Sequence, residues 1–600
     1  MCSILGQYSN TNLIQVERFK CLNSLLSHRG PDYTKLVKGH NFIFGHNLLS
    51  IIDSDQKFSI QPYLQDGYSM VFNGEIYNFK EISAKLTHDG IECSGLSDSE
   101  VLFKSLIFYG LDKTLEILDG MYAFAFLDPK KGLFLARDKL GEKPLYWKKE
   151  KNSIWFSSEI KVLSRLSQKQ VGPNLDNLDQ FFYHGKIYGE KTFFEQVLEV
   201  EPGKYIHFED PSLKPKTIEY WAVDDINQSV YKDISYESIM QGFKSQFIEA
   251  VKTRTISDVQ IGLMLSGGID SNSILRALLD FKRRDIPLFF ANNLDYDSSE
   301  INFVESYLNF FRENFPDNQL NLYQDTQSKN KYLDSLEKFS WFHDEPIQFP
   351  ISPQLFSLTR IAKENNIKVL LSGEGADELL YGYDRFFRTK GLINSNNKKD
   401  IIRNMYFGGG IGNEHLVKKL IVNKLSHKED PQWIWLNKNI STFDFDTLQL
   451  IYSQKFRLQS LLQRQDRIGM ANGVEVRVPF LSPKFVKFCN NLPINVKTES
   501  ERRKKILFDF MENKIPKNSE VNYKKMGSTS FIISWLNSHM SRQYITKIIR
   551  HKWSFSKSYL DFKVVEKIIE NHYDHGFRYT YLLWLILSLE FWQKSFINVR

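Results

Sequence analysis

The sequence predicts two unlike domains in series, an α+β half followed by an α/β half built around a parallel sheet. Three observations carry this expectation. At 600 residues the chain is past the size at which one hydrophobic core stops growing. Its first third alternates short apolar stretches with turns. Beyond about residue 230, an apolar strand twice runs into a glycine turn and then a helical stretch.

In the first half, Met121 to Leu127, then Asp-Pro-Lys-Lys-Gly, then Leu133 to Arg137 reads as a hairpin, and Glu100 to Tyr109 is helical by length and apolar spacing. The stretch EDPSLKPKTIEYWAVDDINQS carries two prolines and no period, which puts a connection near residues 211–230, between domains at 1–210 and 231–600. In the second half Val259 to Leu265 leads into the helical stretch Asn272 to Phe281, and Lys368 to Leu371 is a second strand of the same kind. Asn394 to Lys399 reads as a surface loop.

Composition narrows the class. The apolar fraction is 42% and the charged fraction 25%, as in globular proteins, and 78 basic against 71 acidic residues is too mild and too dispersed an excess to indicate nucleic acid. The run Glu501 to Lys505 reads as a solvated helix face. The opening residues lack a basic and an apolar region, which predicts no secretory signal. The longest apolar run, Leu582 to Leu589, is too short to span a bilayer and reads as a buried C-terminal helix. Cys2, Cys21, Cys93 and Cys489 form neither a disulfide framework nor a metal pattern, which fits a reducing cytoplasm.

Cys2 follows Met1 directly. Removal of Met1 would leave a free α-amine beside the thiol, and an amine of pKa about 7.7–8.0 can serve as the base that activates it. His28-Arg29-Gly30-Pro31-Asp32, Phe72-Asn73-Gly74-Glu75-Ile76-Tyr77-Asn78 and Ser97-Asp98-Ser99-Glu100 follow. Together these resemble the glutaminase domain of class II amidotransferases, whose N-terminal-nucleophile fold stacks antiparallel sheets between helices. The resemblance implies that Cys2 attacks the glutamine side chain, with Asn73 and the N–H of Gly74 as the oxyanion hole. It also implies that Leu48, Ile51, Glu75 and Asp98 line the glutamine site, the two acids holding the α-amino group. One position departs from the family. Leu48, in the segment Gly45 to Asp53, stands where the family carries an arginine that pairs with the glutamine α-carboxylate. Another cation such as Arg29 would then have to substitute, or glutamine would bind weakly, or this half would have drifted in its nitrogen donor.

Ser266-Gly267-Gly268-Ile269-Asp270-Ser271 follows an apolar strand and opens a helix. Glycines admit phosphate close to the backbone, and a helix N-terminus directs N–H donors at it. The loop resembles the SGGxDS pyrophosphate loop of enzymes that split ATP into AMP and pyrophosphate. Leu371-Ser372-Gly373-Glu374-Gly375-Ala376-Asp377-Glu378, flanked by His343-Asp344-Glu345-Pro346 and Gly382-Tyr383, is similar to the core of asparagine synthetases. So are Arg464 to Leu481 and Tyr523 to Gly527.

This resemblance implies an ATP site formed by Met264, Ser266, Gly267, Gly268, Asp270, Ser271, Asn292, Ser372, Gly373 and Glu374. It further implies Mg²⁺ on Asp270 and Asp377, Glu374 as the base for ammonia attack, and Lys525 neutralising the leaving-group charge. The expected reaction is glutamine-dependent amidation of a carboxylate through an acyl-adenylate, by default aspartate to asparagine. Leu48, and Ser482 in place of the family aspartate, leave open a different acceptor such as a sugar acid or biosynthetic intermediate. A non-catalytic nucleotide-binding relative is the remaining alternative. The family also suggests a homodimer.

Overall fold

The computed structural model describes the chain apart from residues 1, 12, 54, 56–57, 167–170, 213, 225, 227, 232, 282–284, 293–298, 327, 388–397, 409–413, 422–429, 500–501, 513–530 and 597–600. Lys525 and the rest of Tyr523 to Gly527 fall outside the described residues, as does most of Asn394 to Lys399.

Among the described residues twelve strands build the first half: β1 (Cys2–Ser9), β2 (Tyr33–Lys38), β3 (Phe42–Leu48), β4 (Tyr63–Gln65), β5 (Tyr68–Ile76), β6 (Gly120–Asp128), β7 (Gly132–Arg137), β8 (Tyr146–Glu150), β9 (Ser153–Ser157), β10 (Leu198–Glu199), β11 (Lys204–Phe208) and β12 (Lys216–Glu219). They form two antiparallel sheets of six, ordered β10-β8-β9-β1-β3-β2 and β12-β11-β7-β6-β5-β4. Alternation decides their packing. Ile4, Phe42 and Phe44 of one sheet and Val71, Ala123, Ala125 and Leu135 of the other fill the space between them. The opposite-facing Leu5, Ile43, Met70, Phe72 and Phe124 join a second core with the helices Val16–Ser24, Phe79–His88 and Asp98–Phe108. The expected hairpin is β6–β7. The stretch read as a connection contains an edge strand, because β12 pairs along β11.

The second half holds one all-parallel sheet of β13 (Ile261–Met264), β14 (Asp285–Asn292), β15 (Gln319–Thr326), β16 (Val369–Leu371) and β17 (Glu475–Arg477). Its order, β15-β14-β13-β16-β17, reverses direction between β13 and β16. In open parallel sheets, ligands bind at such a reversal, beyond the strands' C-terminal ends. Both glycine motifs follow those two strands, in register at Leu263 and Leu371. The apolar C-terminal segment is the buried helix Thr580–Phe596, packed on the helix Lys329–His343. Among the described residues, no helix is long and apolar enough to cross a membrane.

Candidate active sites

Cys2 opens β1, and its buried side chain faces a pocket it shares with Leu48, Ile51, Gly74, Glu75 and Asp98. The predicted residues therefore meet at one place. Asn73 Oδ1 accepts from the Cys2 N–H at 3.0 Å, and Asn73 Nδ2 is buried with no hydrogen-bond partner. An orphaned buried amide is costly unless a ligand satisfies it, so Asn73 presents a free donor beside Cys2. Gly74 is required by close approach: a β-carbon there would lie 2.1 Å from the Met121 carbonyl oxygen.

Burial pushes the Cys2 thiol up to about 11, so its proton must leave to a base as attack occurs. Burial also pushes Asp98 up to about 6, against a hydrogen bond from the Ile76 N–H at 2.9 Å. Glu75 is raised well above its ordinary value by burial and by Glu475 and Asp98. Leu48 lies directly across from Cys2 in the β1–β3 register. The rest of the described lining is apolar or neutral and includes Gln61, with no cation on it. Arg29 does not fill the gap. Its guanidinium is fully buried and committed to Asp466 and Glu159.

In the second half, Gly268 caps the helix Ile269–Asp280, and Ser271 Oγ accepts from the Ser266 N–H at 3.1 Å, folding the first loop over the helix start. The second loop lies against it. A β-carbon on Gly373 would come within 3.0 Å of Asp270 Cβ and of Ser271 N. Met264 and Asn292 end β13 and β14 at the same sheet edge, with Asn292 Nδ2 bonded to Gln324 at 3.1 Å. Ser372 Oγ accepts from Gln465 Nε2 at 3.3 Å, and Glu374 is paired with Arg464 and accepts from Gln465 at 3.2 Å.

Lys504 corrects the reading of Glu501 to Lys505 as a solvated face. It is buried, and its ammonium lies 2.7 Å from both oxygens of Asp270 and 2.7 Å from Asp377 Oδ1. Nothing in the local sequence marks it, because the contact spans 234 residues. The two carboxylates thus converge on one cationic point, and a pair of hard oxygen donors is what Mg²⁺ takes alongside phosphate and water.

Comparison with known proteins fits both halves. A glutamine amidotransferase domain model matches residues 1–221, and an asparagine synthase model matches residues 242–594. The chain belongs to the asparagine synthase family. Asparagine synthetase [glutamine-hydrolyzing] 1 of Bacillus subtilis is 26% identical over 641 residues, spanning 100% of this chain and 98% of its own. The third such enzyme of that organism is 28% identical over 549 residues, covering 88% and 86%, and that of Rattus norvegicus 27% over 511, covering 82% and 77%. As a member of the asparagine synthase family with both domains, the chain is a glutamine-hydrolysing, amide-forming enzyme.

Two of the motifs it shares with asparagine synthetases turn out to join the halves. Asp344 accepts from the Ile160 N–H at 2.7 Å and pairs with Lys161 and Arg467 at 2.9 and 3.0 Å. Glu345 accepts from the Phe193 N–H at 2.8 Å. Arg477 reaches from β17 to Glu75 at 3.6 Å, while its carbonyl accepts from the Ser372 N–H at 2.9 Å. One residue therefore touches both a carboxylate of the Cys2 pocket and the loop after β16.

Proposed function

We propose that this enzyme converts aspartate to asparagine, drawing ammonia from glutamine and splitting ATP to AMP and pyrophosphate. The observation that carries the proposal is the meeting of the Asp270 and Gly373 loops at the sheet's reversal, in a chain whose other half sets a cysteine beside an orphaned amide donor.

With Met1 removed, the Cys2 α-amine takes the thiol proton as sulfur attacks the glutamine amide carbon. Asn73 Nδ2 and the Gly74 N–H stabilise the oxyanion, ammonia departs, and water releases glutamate from the thioester. Losing one such donor typically costs about 10²–10³ in rate. Glu75 and Asp98 hold the glutamine α-ammonium. Across the interface, an aspartate side-chain oxygen attacks the α-phosphorus of ATP and displaces pyrophosphate. Ammonia, passed through the interior, adds to the adenylate carbonyl, AMP leaves, and Glu374 accepts the proton. Ser266, Gly267, Gly268, Ser271, Ser372 and Gly373 surround the phosphates, Met264 and Asn292 the base, and Lys525 meets the leaving charge.

Asp270 and Asp377 would hold Mg²⁺, which when bound neutralises charge on the pyrophosphate. The free cysteines fit a cytoplasmic setting, and a homodimer fits the family.

Pyrophosphate release by purified enzyme, assayed over a panel of carboxylates with glutamine or ammonium as nitrogen source, tests this. Aspartate should support turnover with either source, and Cys2→Ala should keep the ammonium activity alone. Release with a different carboxylate but not aspartate would move the acceptor. Loss of both activities in a folded Cys2→Ala enzyme would defeat the two-site scheme.

A further inference from the structure

Beyond the Asp377 loop the chain turns back through Gly382, whose N–H donates to the Asp377 carbonyl at 3.0 Å, and presents Tyr383 and Arg385. The Tyr383 hydroxyl donates to Glu378, the residue next to Asp377. Two guanidinium groups lie on the Tyr383 ring, Arg385 at 4.4 Å and Arg457 at 4.9 Å from its centroid. Both line a cavity whose other described walls are neutral: His184 and Tyr188 from the first half, and Gln348, Asn404, Gln449 and Tyr452 among those from the second. No acid lines it.

Arg457 reaches this place through a local irregularity. The helices Phe445–Tyr452 and Leu458–Met470 are joined by one π-helical turn, Ser453–Arg457, a widening that recurs at functional sites. Within that turn, Gln454 Nε2 donates to the Glu378 carbonyl at 3.1 Å and Ser453 Oγ accepts from Arg385 at 3.0 Å, tying it to the nucleotide loop. Arg457 Nε is buried with no hydrogen-bond partner, while the rest of its guanidinium meets Tyr383 and feels the charge of Glu378. Two like charges sharing one ring repel, and burial followed by the Arg457 charge pushes Arg385 down to about 10. An anion between them would remove that repulsion and satisfy the orphaned donor. Planar guanidinium forks match a carboxylate in particular.

We propose that Arg385 and Arg457 bind the acceptor's second, non-reacting carboxylate. The assignment rests on the amidation reading above. The acceptor's reacting carboxylate must meet ATP at Asp270 and Asp377, and the two arginines are joined to that place through Tyr383, whose hydroxyl donates to Glu378, the neighbour of Asp377. The sequence gives no hint of it: Arg385 and Arg457 are 72 positions apart and neither belongs to a motif quoted above.

The test compares aspartate with 3-aminopropanoate, which keeps the reacting carboxylate and lacks the second one, in wild type, Arg457→Gln and Arg457→Lys. Arg457→Gln should raise the aspartate KM roughly 10- to 100-fold, the loss expected for charge-assisted hydrogen bonds. The ATP KM and glutamine hydrolysis should stay within about twofold. Turnover of 3-aminopropanoate should be poor and equal in wild type and Arg457→Gln, and Arg457→Lys should fall between them with aspartate. An unchanged aspartate KM, or an equal proportional loss with 3-aminopropanoate, overturns the assignment while leaving amidation intact. Should Arg457→Gln lose glutamine hydrolysis through misfolding, Arg457→Lys read against the same two acceptors decides. If wild type releases pyrophosphate with no carboxylate, the amidation reading falls and this assignment falls with it.

Discussion

Arg29 grips Asp466 across the domain interface, donating from Nη1 and Nη2 to the two carboxylate oxygens at 2.7 and 2.9 Å, while its Nε donates to the Cys2 carbonyl at 3.3 Å. The Cys2 backbone is therefore held by a residue whose orientation is set by the second half. Against the upward push of burial, Arg29 holds the Asp466 carboxyl below its ordinary value. That contribution to stability is present above the unfolded carboxylate pKa of about 3.9 and is lost only as pH falls through the lower folded value.

Asp466→Asn should thus weaken both fold and coupling. Removing one partner of a buried ion pair costs about 3–5 kcal/mol, and Glu159, 3.1 Å from Nη1, should hold the loss near the lower end. The denaturation midpoint at pH 7 should fall, and glutamine-dependent synthesis should drop more than ammonium-dependent synthesis. An unchanged midpoint with an unchanged ratio of the two activities would show that the pair fixes nothing.

The sequence makes the sites' chemistry legible and leaves their connection hidden, for a physical reason. Cys2, Asn73, Gly74, Glu75 and Asp98 lie on strands or at a helix start whose pairing follows from alternation, so local pattern leads to the pocket. The loops after β13 and β16 carry their glycines in plain view. Lys504, Arg457 and the Arg29–Asp466 pair are different: each is an ordinary basic residue until tertiary contacts 234, 74 or 437 positions away give it a role. The edge strand β12 was hidden because four residues are too few to show a period.

Leu48 faces Cys2 across β1 and β3 in a pocket whose described lining offers two acids and no cation. Gln61 is the lining group placed to help, since its Oε1 accepts from the Phe72 N–H at 2.7 Å and its amide nitrogen is turned away from that bond. A neutral amide substitutes poorly for an arginine fork, whose charge-assisted hydrogen bonds contribute roughly 1.5–3 kcal/mol each. Glutamine KM should therefore be high, Leu48→Arg should lower it about tenfold or more, and ammonium-dependent synthesis should not move. A low wild-type KM raised by Leu48→Arg would mean that another group already holds the carboxylate.

Asp98 sets a pH limit on the same half. With burial pushing it up to about 6, it is neutral below that pH and ionised above, and only the anion attracts the glutamine α-ammonium. The Cys2 α-amine, as base, already makes kcat/KM for glutamine hydrolysis fall about tenfold per unit below its own pKa of about 7.7–8.0, and below pH 6 the protonation of Asp98 should steepen that fall to about a hundredfold per unit. Asp98→Asn should be poor and keep only the shallower limb, and a fall that still steepens below pH 6 in Asp98→Asn would assign the second step to another group.

Lys504 offers a test of the metal assignment that does not depend on turnover. Burial alone would lower its pKa, but Asp270 and Asp377 raise it above the ordinary lysine value. A raised amine pKa gives stability that is fully present below about 10.4, hence at neutral pH. Lys504→Met removes the cation and leaves the two carboxylates facing each other, so one is forced toward protonation and the fold loses stability at pH 7. Mg²⁺ would have to displace an ammonium in the wild type but would enter an uncompensated anionic pair in the variant. Thermal unfolding measured with and without millimolar Mg²⁺ should show a larger rise in Tm for Lys504→Met than for wild type. Asp270→Asn in the Lys504→Met background should abolish that gain. Acceptor-dependent pyrophosphate release by Lys504→Met should fall at least about tenfold, because the cation that balances Asp270 and Asp377 is gone. Equal Mg²⁺ shifts in wild type and Lys504→Met would place the metal elsewhere than between Asp270 and Asp377.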